Sequence, residues 1–141
     1  MNAYLLDTHS FLWSAFEPEK LSRAVYAELV RNSSPVYISS VTFWEISLKA
    51  GIGKLTLTNC LPEELPDIAD RLGYLPLPLE PEEAASFCRL PRCTHKDPFD
   101  RMLIWQAVQR KLILISKDSA FDAYRSMGLQ TFWQRAAESN K

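Results

Sequence analysis

Short, wholly apolar runs alternate along this chain with longer stretches in which apolar residues recur every three or four positions. Tyr4-Leu5-Leu6 is the first such run, and Asp7-Thr8 follows it, so the pattern predicts a buried strand leading into a helix start. His9 to Phe16 reads as a short helix stopped near Pro18. Leu21 to Val30 has helical period, with Leu21, Val25, Leu29 and Val30 on one side. Pro35 to Ser39 predicts a second strand, after which Ser40 or Thr42 can cap a helix running through Lys49 and ending near Gly51 and Gly53. Pro62 to Leu72 is an acidic amphipathic helix that Gly73 stops. Tyr74 to Leu79 is extended, and its prolines point to a sheet edge. Pro81 to Cys88 is helical again. Asp97 before Pro98 is the strongest local signal: a cap followed by proline at the first helical position opens a helix from Phe99 to Lys111. Leu112 to Ser116 is apolar enough for a strand covered on both faces, and it reads as the most central one. Asp118 opens a helix to Met127, Gly128 ends it, and Gln130 to Trp133 forms a last short strand.

This alternation predicts an α/β domain built on a mainly parallel sheet flanked by helices. The 141 residues amount to one domain, spanning 1–141. No apolar run approaches the roughly 18 residues of a membrane span, so no membrane partner is expected. The first residues lack the basic stretch of a secretory signal. Cys60, Cys88 and Cys93 are odd in number and have no CxxC spacing, which argues against a disulfide framework or a zinc site and for a reduced, cytoplasmic protein.

A net charge of −1 excludes a bulk electrostatic footprint for nucleic acid, but the charge is unevenly spread. Residues 1–80 hold 6 basic and 10 acidic residues, and residues 81–141 hold 10 and 7. Arg89, Arg92, Lys96, Arg101, Arg110, Lys111 and Lys117 lie on or near the segment that carries Asp97, Asp100 and Asp118. They are either solvated helix surface, the reading favoured for Arg110 and Lys111, or a basic rim around an acidic pocket.

Ligands of open α/β sheets bind outside the carboxyl ends of the strands. Asp7 ends the first strand, Asp118 follows the fourth, Asp97 and Asp100 start the helix feeding that strand, and Glu45 lies one turn into the helix after the second. Each has a structural explanation: Asp97 and Asp118 as caps, Asp100 as a complement to the helix dipole, and Glu45 with Lys49 as a surface i,i+4 pair. Asp7 is harder to explain this way, because Thr8 could meet any capping need. Jointly the structural explanations weaken. At about 4 Å and an effective dielectric near 20, each pair of carboxylates costs on the order of 4 kcal/mol. A hard divalent cation would offset that cost, and oxygen donors select magnesium or manganese over zinc. His9 and His95 are expected to pack or to face solvent, although His95 is near enough to Asp97 to stand behind it. Such a site suits phosphoryl chemistry. With no phosphate-binding loop of nucleotide triphosphatases and no nucleophile elbow, phosphodiester hydrolysis is the remaining good fit.

At these residues the sequence resembles the PIN-domain ribonucleases, and within them the VapC-type toxins of toxin–antitoxin pairs. Four segments carry the resemblance, in the family's order: LLDTHSFLW (Leu5 to Trp13), SSVTFWEISLKAGIGKL (Ser39 to Leu55), HKDPFDRMLIWQA (His95 to Ala107) and LISKDSAFDAY (Leu114 to Tyr124). The resemblance implies a three-layer PIN-like fold and an acidic pocket that binds Mg2+ or Mn2+. Asp7, Asp100 and Asp118 would hold the metal, and Glu45 would hold metal or orient water. Thr8 would be a hydroxyl orienting the cluster, and Asp97, at a position used in one branch of the family, would cap the helix or stand just behind the ligands, with Asp100 taken over Asp97 as the direct ligand. The implied reaction is in-line attack of metal-activated water on an RNA phosphodiester. The implied partners are a VapB-like antitoxin, whose tail would fill the pocket with a basic residue, and a second copy of the chain. Trp13, Trp44, Trp105 and Trp133 are expected in the core and at the subunit interface, with RNA base stacking as the alternative and with Trp13 and Trp44 nearer a partner surface than Trp105.

Three rivals are weighed against this reading. A receiver-like phospho-accepting domain needs paired acids after the first strand, where Thr8 follows Asp7. A phosphatase with an Asp nucleophile needs DxD, where the chain has Asp7-Thr8-His9. A PIN-like binding module that has lost catalysis should lack one of the acids, and none is missing.

Overall fold

The computed structural model describes residues 2–92 and 95–134. Five short strands form one sheet: β1 (Tyr4–Leu6), β2 (Val36–Ser39), β3 (Leu75–Leu77), β4 (Ile113–Ile115) and β5 (Gln130–Phe132). Their order across the sheet is β3-β2-β1-β4-β5 and every pairing is parallel. The central strand is therefore β1, and the fully apolar β4 lies beside it. Apolar composition marks burial on both faces, which β1 and β4 share, so composition alone could not rank them. From β1 the chain first builds outward through β2 and β3, then returns to place β4 on the other flank. That reversal opens a crevice at the carboxyl ends of β1 and β4.

Strand alternation divides the core between the two faces. Tyr4, Leu6, Val36, Ile38 and Ile115 pack with Phe11, Val25, Leu65 and Ala69. These come from β1, β2 and β4 and from α1 (Thr8–Phe16), α2 (Arg23–Arg31) and α4 (Leu65–Arg71). Leu5, Leu77 and Leu114 point the opposite way, toward Leu103, Ile104, Phe121 and Tyr124. Here the cover is α6 (Pro98–Arg110) and a 3-10 run over Ser119–Met127. Two further helices, α3 (Ser40–Gly51) and α5 (Pro81–Ser86), complete the layers. β3 is the predicted proline-bearing edge.

Several local expectations shift. Ser39, not Ser40 or Thr42, caps α3 by accepting from the Val41 amide. Val30 is exposed and leaves the apolar side of α2. The segment after Asp118 is 3-10 rather than α-helical. Trp44 is 60% exposed and Trp105 only 4%. Cys60 and Cys88 are free thiols, and Cys93 lies outside the described residues. No helix among the described residues is long and apolar enough to cross a membrane.

Arg110 is exposed, as its sequence position suggested, but it is also anchored to a buried partner. Its Nε and a terminal nitrogen donate to the two carboxylate oxygens of the buried Glu83, at 2.6 and 2.9 Å. Burial alone would raise the Glu83 pKa, but hydrogen bonds from Arg110, the Glu80 backbone and Gln106 outweigh it and hold the carboxyl below its ordinary 4.5. A depressed carboxyl stabilises the fold above its unfolded value, and that stability is lost as pH falls through the folded value. Glu83→Gln should therefore cost about 1–2 kcal/mol at pH 7, the low side for a bidentate pair because Arg110 still reaches water. The gap to wild type in urea melts should close below pH 4; a gap that persists there would assign Glu83 a packing role instead.

Candidate active site

Three segment starts converge on the crevice beyond β1 and β4. Asp7 follows β1 directly, and its amide continues the ladder by donating to the Ile115 carbonyl at 3.1 Å. Contrary to the expectation that Thr8 would serve, Asp7 is the N-cap of α1, its Oδ1 accepting from the Ser10 amide at 2.9 Å. The Ser10 hydroxyl donates to the same Ile115 carbonyl at 3.2 Å, tying the helix start to the end of β4. Burial pushes the Asp7 carboxyl above its ordinary range, against the pull of the Ser10 and Ser116 hydroxyls and the Ser10 amide. Asp118 caps the 3-10 run through the Ala120 amide at 2.9 Å, and its own amide donates to Ser116 Oγ at 3.1 Å. It is exposed, where Asp7 is buried. Asp97 caps α6, Oδ1 accepting from the amides of Phe99 (2.9 Å) and Asp100 (3.4 Å).

Each cap engages one carboxylate oxygen. Asp7 and Asp118 line one cleft of about 250 Å³ together with His9, Trp13 and Lys117. A wider cavity of about 650 Å³ lies toward the amino ends of the strands, against Tyr4, Glu28, Ile113 and Gln130, and gathers no cluster of acids. Asp100 stands one helical turn into α6. Its pKa is pushed from 3.8 up to about 6, by burial first and then by the charges of Asp97, Glu45 and Asp7, while a hydrogen bond from His95 pulls it down. Donor atoms of Asp100, Asp118 and His95 all lie within 4.8 Å of one another.

Glu45 is buried, not the surface group its pairing with Lys49 suggested. Thr8 Oγ1 donates to its Oε1 at 2.6 Å, and Lys49 pairs with its Oε2. Thr42, also buried, sits 3.4 Å from Thr8 Oγ1. Burial would depress the Lys49 pKa, but Glu45, Asp97 and Asp100 together raise it. The ammonium is thus a cation built into the acid cluster, and part of the repulsion is met from within the chain.

Two residues were undervalued in the sequence. Lys49 looked like half of an ordinary helix pair, and only the apolar neighbours of Glu45 hinted at burial. His95 pairs with Asp100, Nε2 to Oδ2 at 3.0 Å, rather than standing behind Asp97. Beside it, Arg92, His95, Lys96 and Arg101 line a pocket of about 420 Å³. Lys117 lines the acid cleft itself, and this pocket adjoins it through His95, with Arg101 also donating to the Leu90 and Pro91 carbonyls.

The PIN domain family model matches residues 4–126. The chain is also similar to Ribonuclease VapC22 of Mycobacterium tuberculosis, with 24% identity over 133 residues, covering 94% of this chain and 100% of that protein. Among solved structures it resembles a chain of DNA-bound VapBC from Salmonella typhimurium, at TM-score 0.66 and 19% identity over 95% of this chain and 100% of that one. It likewise resembles a chain of VapBC2 from Rickettsia felis bound to a DNA fragment from their promoter, at TM-score 0.63 and 14% identity over 94% and 99%. These structural likenesses carry the fold, and the family match takes in every strand from β1 to β4 with all the clustered acids. On that match, the chain belongs to the PIN domain family.

Proposed function

We propose that the chain is a magnesium- or manganese-dependent endoribonuclease, the toxin of a VapBC-type pair. The observation that carries this is the convergence of Asp7, Asp118 and Asp100, from three distant segments, on the crevice between β1 and β4. The donor set fits a divalent cation. Asp7 and Asp118 each commit one oxygen to a cap, and Asp100 is destabilised in its charged form by its neighbours, as expected of a cluster shaped for a positive charge. Asp7, Asp100 and Asp118 would hold the ion. A bound divalent cation supplies polarisation of the phosphodiester and a lowered pKa for the attacking water. Glu45, oriented by Thr8 and Lys49, would hold the ion or accept the water's proton at its carboxylate. Asp97 keeps the α6 start, and with it Asp100, in place. Lys117 and the cations of the neighbouring pocket would hold backbone phosphates on either side of the scissile one.

The likeness to Ribonuclease VapC22 and to the VapBC complexes supports the ribonuclease activity and a VapB-like antitoxin partner. Trp44, Leu48 and Ile52 form an exposed apolar stripe along and just beyond α3, which supports burial against a second copy of the chain. Free thiols at Cys60 and Cys88 suit a reducing cytoplasm.

Purified, antitoxin-free protein should cleave structured RNA with Mg2+ or Mn2+ and stop in EDTA; cleavage that persists in EDTA would remove the metal from the mechanism. Asp7→Asn should abolish cleavage while circular dichroism stays native, since the amide oxygen can still cap α1. Ionising Asp100 costs the folded chain more than the unfolded one, so this penalty is absent below about pH 3.8, grows with rising pH and is complete above about pH 6. In metal-free protein at pH 7.5, Asp100→Asn should therefore stabilise by about 1–2 kcal/mol, less than the full shift because water still reaches the carboxyl. The gain should fade toward pH 4, and Mn2+ should raise the melting temperature of wild type more than that of the variant. Leu48→Glu should move the sedimenting species from dimer to monomer; an unchanged dimer would place the interface elsewhere.

A further inference from the structure

His95 reaches the acid cleft, and the mechanism above gives it no task. It lies on the extended segment entering α6, with its Nε2 3.0 Å from Asp100 Oδ2. Its side chain is 14% exposed, and its ring stands edge-on to that of the buried Phe121 at 5.2 Å and 86°. The ring is therefore aimed by packing as well as by its hydrogen bond. A tether for Asp100 would need only that one carboxylate. Yet Asp118, from a different segment, also brings an oxygen into the same group, and the three donor atoms lie within 4.8 Å of one another. Donors about 2.0–2.2 Å from a common ion lie between about 3.0 Å apart, when adjacent, and about 4.4 Å, when opposite, so the 3.0 Å between His95 Nε2 and Asp100 Oδ2 already suits two adjacent ligands.

We propose that the His95 imidazole is a direct ligand of the divalent cation alongside Asp100 and Asp118, making the centre a mixed nitrogen and oxygen site that favours Mn2+ over Mg2+. The proposal rests on reading the clustered acids as a metal site and deepens that reading. Magnesium demands near-ideal octahedral geometry, is served by hard oxygen donors and keeps its waters tightly. A neutral imidazole is a softer donor that first-row transition ions accept more readily. Composition alone, with its surplus of carboxylates, points to an all-oxygen site. The position of His95 changes the donor set.

Electron spin-echo modulation of the Mn2+-loaded full chain tests this directly. The wild type should show coupling to an imidazole nitrogen. His95→Gln, whose amide can still donate to Asp100, should lose that coupling. By equilibrium dialysis the same variant should bind Mn2+ about tenfold more weakly, with Mg2+ changed by less than about threefold. Wild-type protein that binds Mn2+ without nitrogen coupling would overturn His95 as a ligand and leave the carboxylate site standing. Wild-type protein with no saturable Mn2+ binding would overturn both. Because the decisive spectrum is taken on wild type, a variant that fails to fold does not remove the test.

Discussion

Mutual repulsion among carboxylates drawn out of water is the constraint around which this molecule is arranged. Asp7 is buried after β1, Glu45 is buried in α3, and Asp100 lies partly buried in α6 within reach of both. In a medium less polar than water such a cluster would spread apart or neutralise itself unless the surrounding framework held it. The framework holds it through groups that ask little of the acids in return. Backbone amides at segment starts take one oxygen each from Asp7, Asp97 and Asp118, Thr8 fixes one oxygen of Glu45, and Lys49 places a positive charge at the other.

Topology explains why those segment starts meet. The chain lays down β1, β2 and β3 in one direction across the sheet and then returns to place β4 on the other side of β1. Right-handed parallel crossovers bring every helix start after a strand to the same edge. The helix starts carry partial positive charge, so the edge that collects the acids also collects the dipoles that tolerate them. A capping role and a chemical role are therefore not rivals for Asp7 or Asp118. The cap orients the carboxylate, and both residues line the cleft.

The charge asymmetry along the chain takes on a spatial meaning in the same way. Two sets of cations from the second half of the sequence take different places. Arg110 is drawn into a bidentate pair with Glu83 that joins α6 to α5. Arg92, Lys96 and Arg101 instead surround a pocket that adjoins His95. An acidic centre thus lies beside a basic recess, although the net charge of the whole chain is close to zero.

Much of this was legible in the order of residues. The strand cores at Tyr4 to Leu6 and Ile113 to Ile115, the cap at Asp97-Pro98, the stop at Gly73 and the edge character of Leu75 to Leu77 all follow from local chemistry, because caps, prolines and apolar runs act over a few residues. The identity of the clustered acids followed from the rule for α/β sheets together with the family's motifs. Other features depended on which strand neighbours which, and on which helix face is covered. The centrality of β1, the burial of Glu45 with Lys49, the pairing of Arg110 with Glu83 and the reach of His95 to Asp100 are of this kind. A residue's neighbours in sequence fix its local conformation. Its dielectric surroundings and its long-range partners exist only once the sheet order has folded separate segments onto one edge.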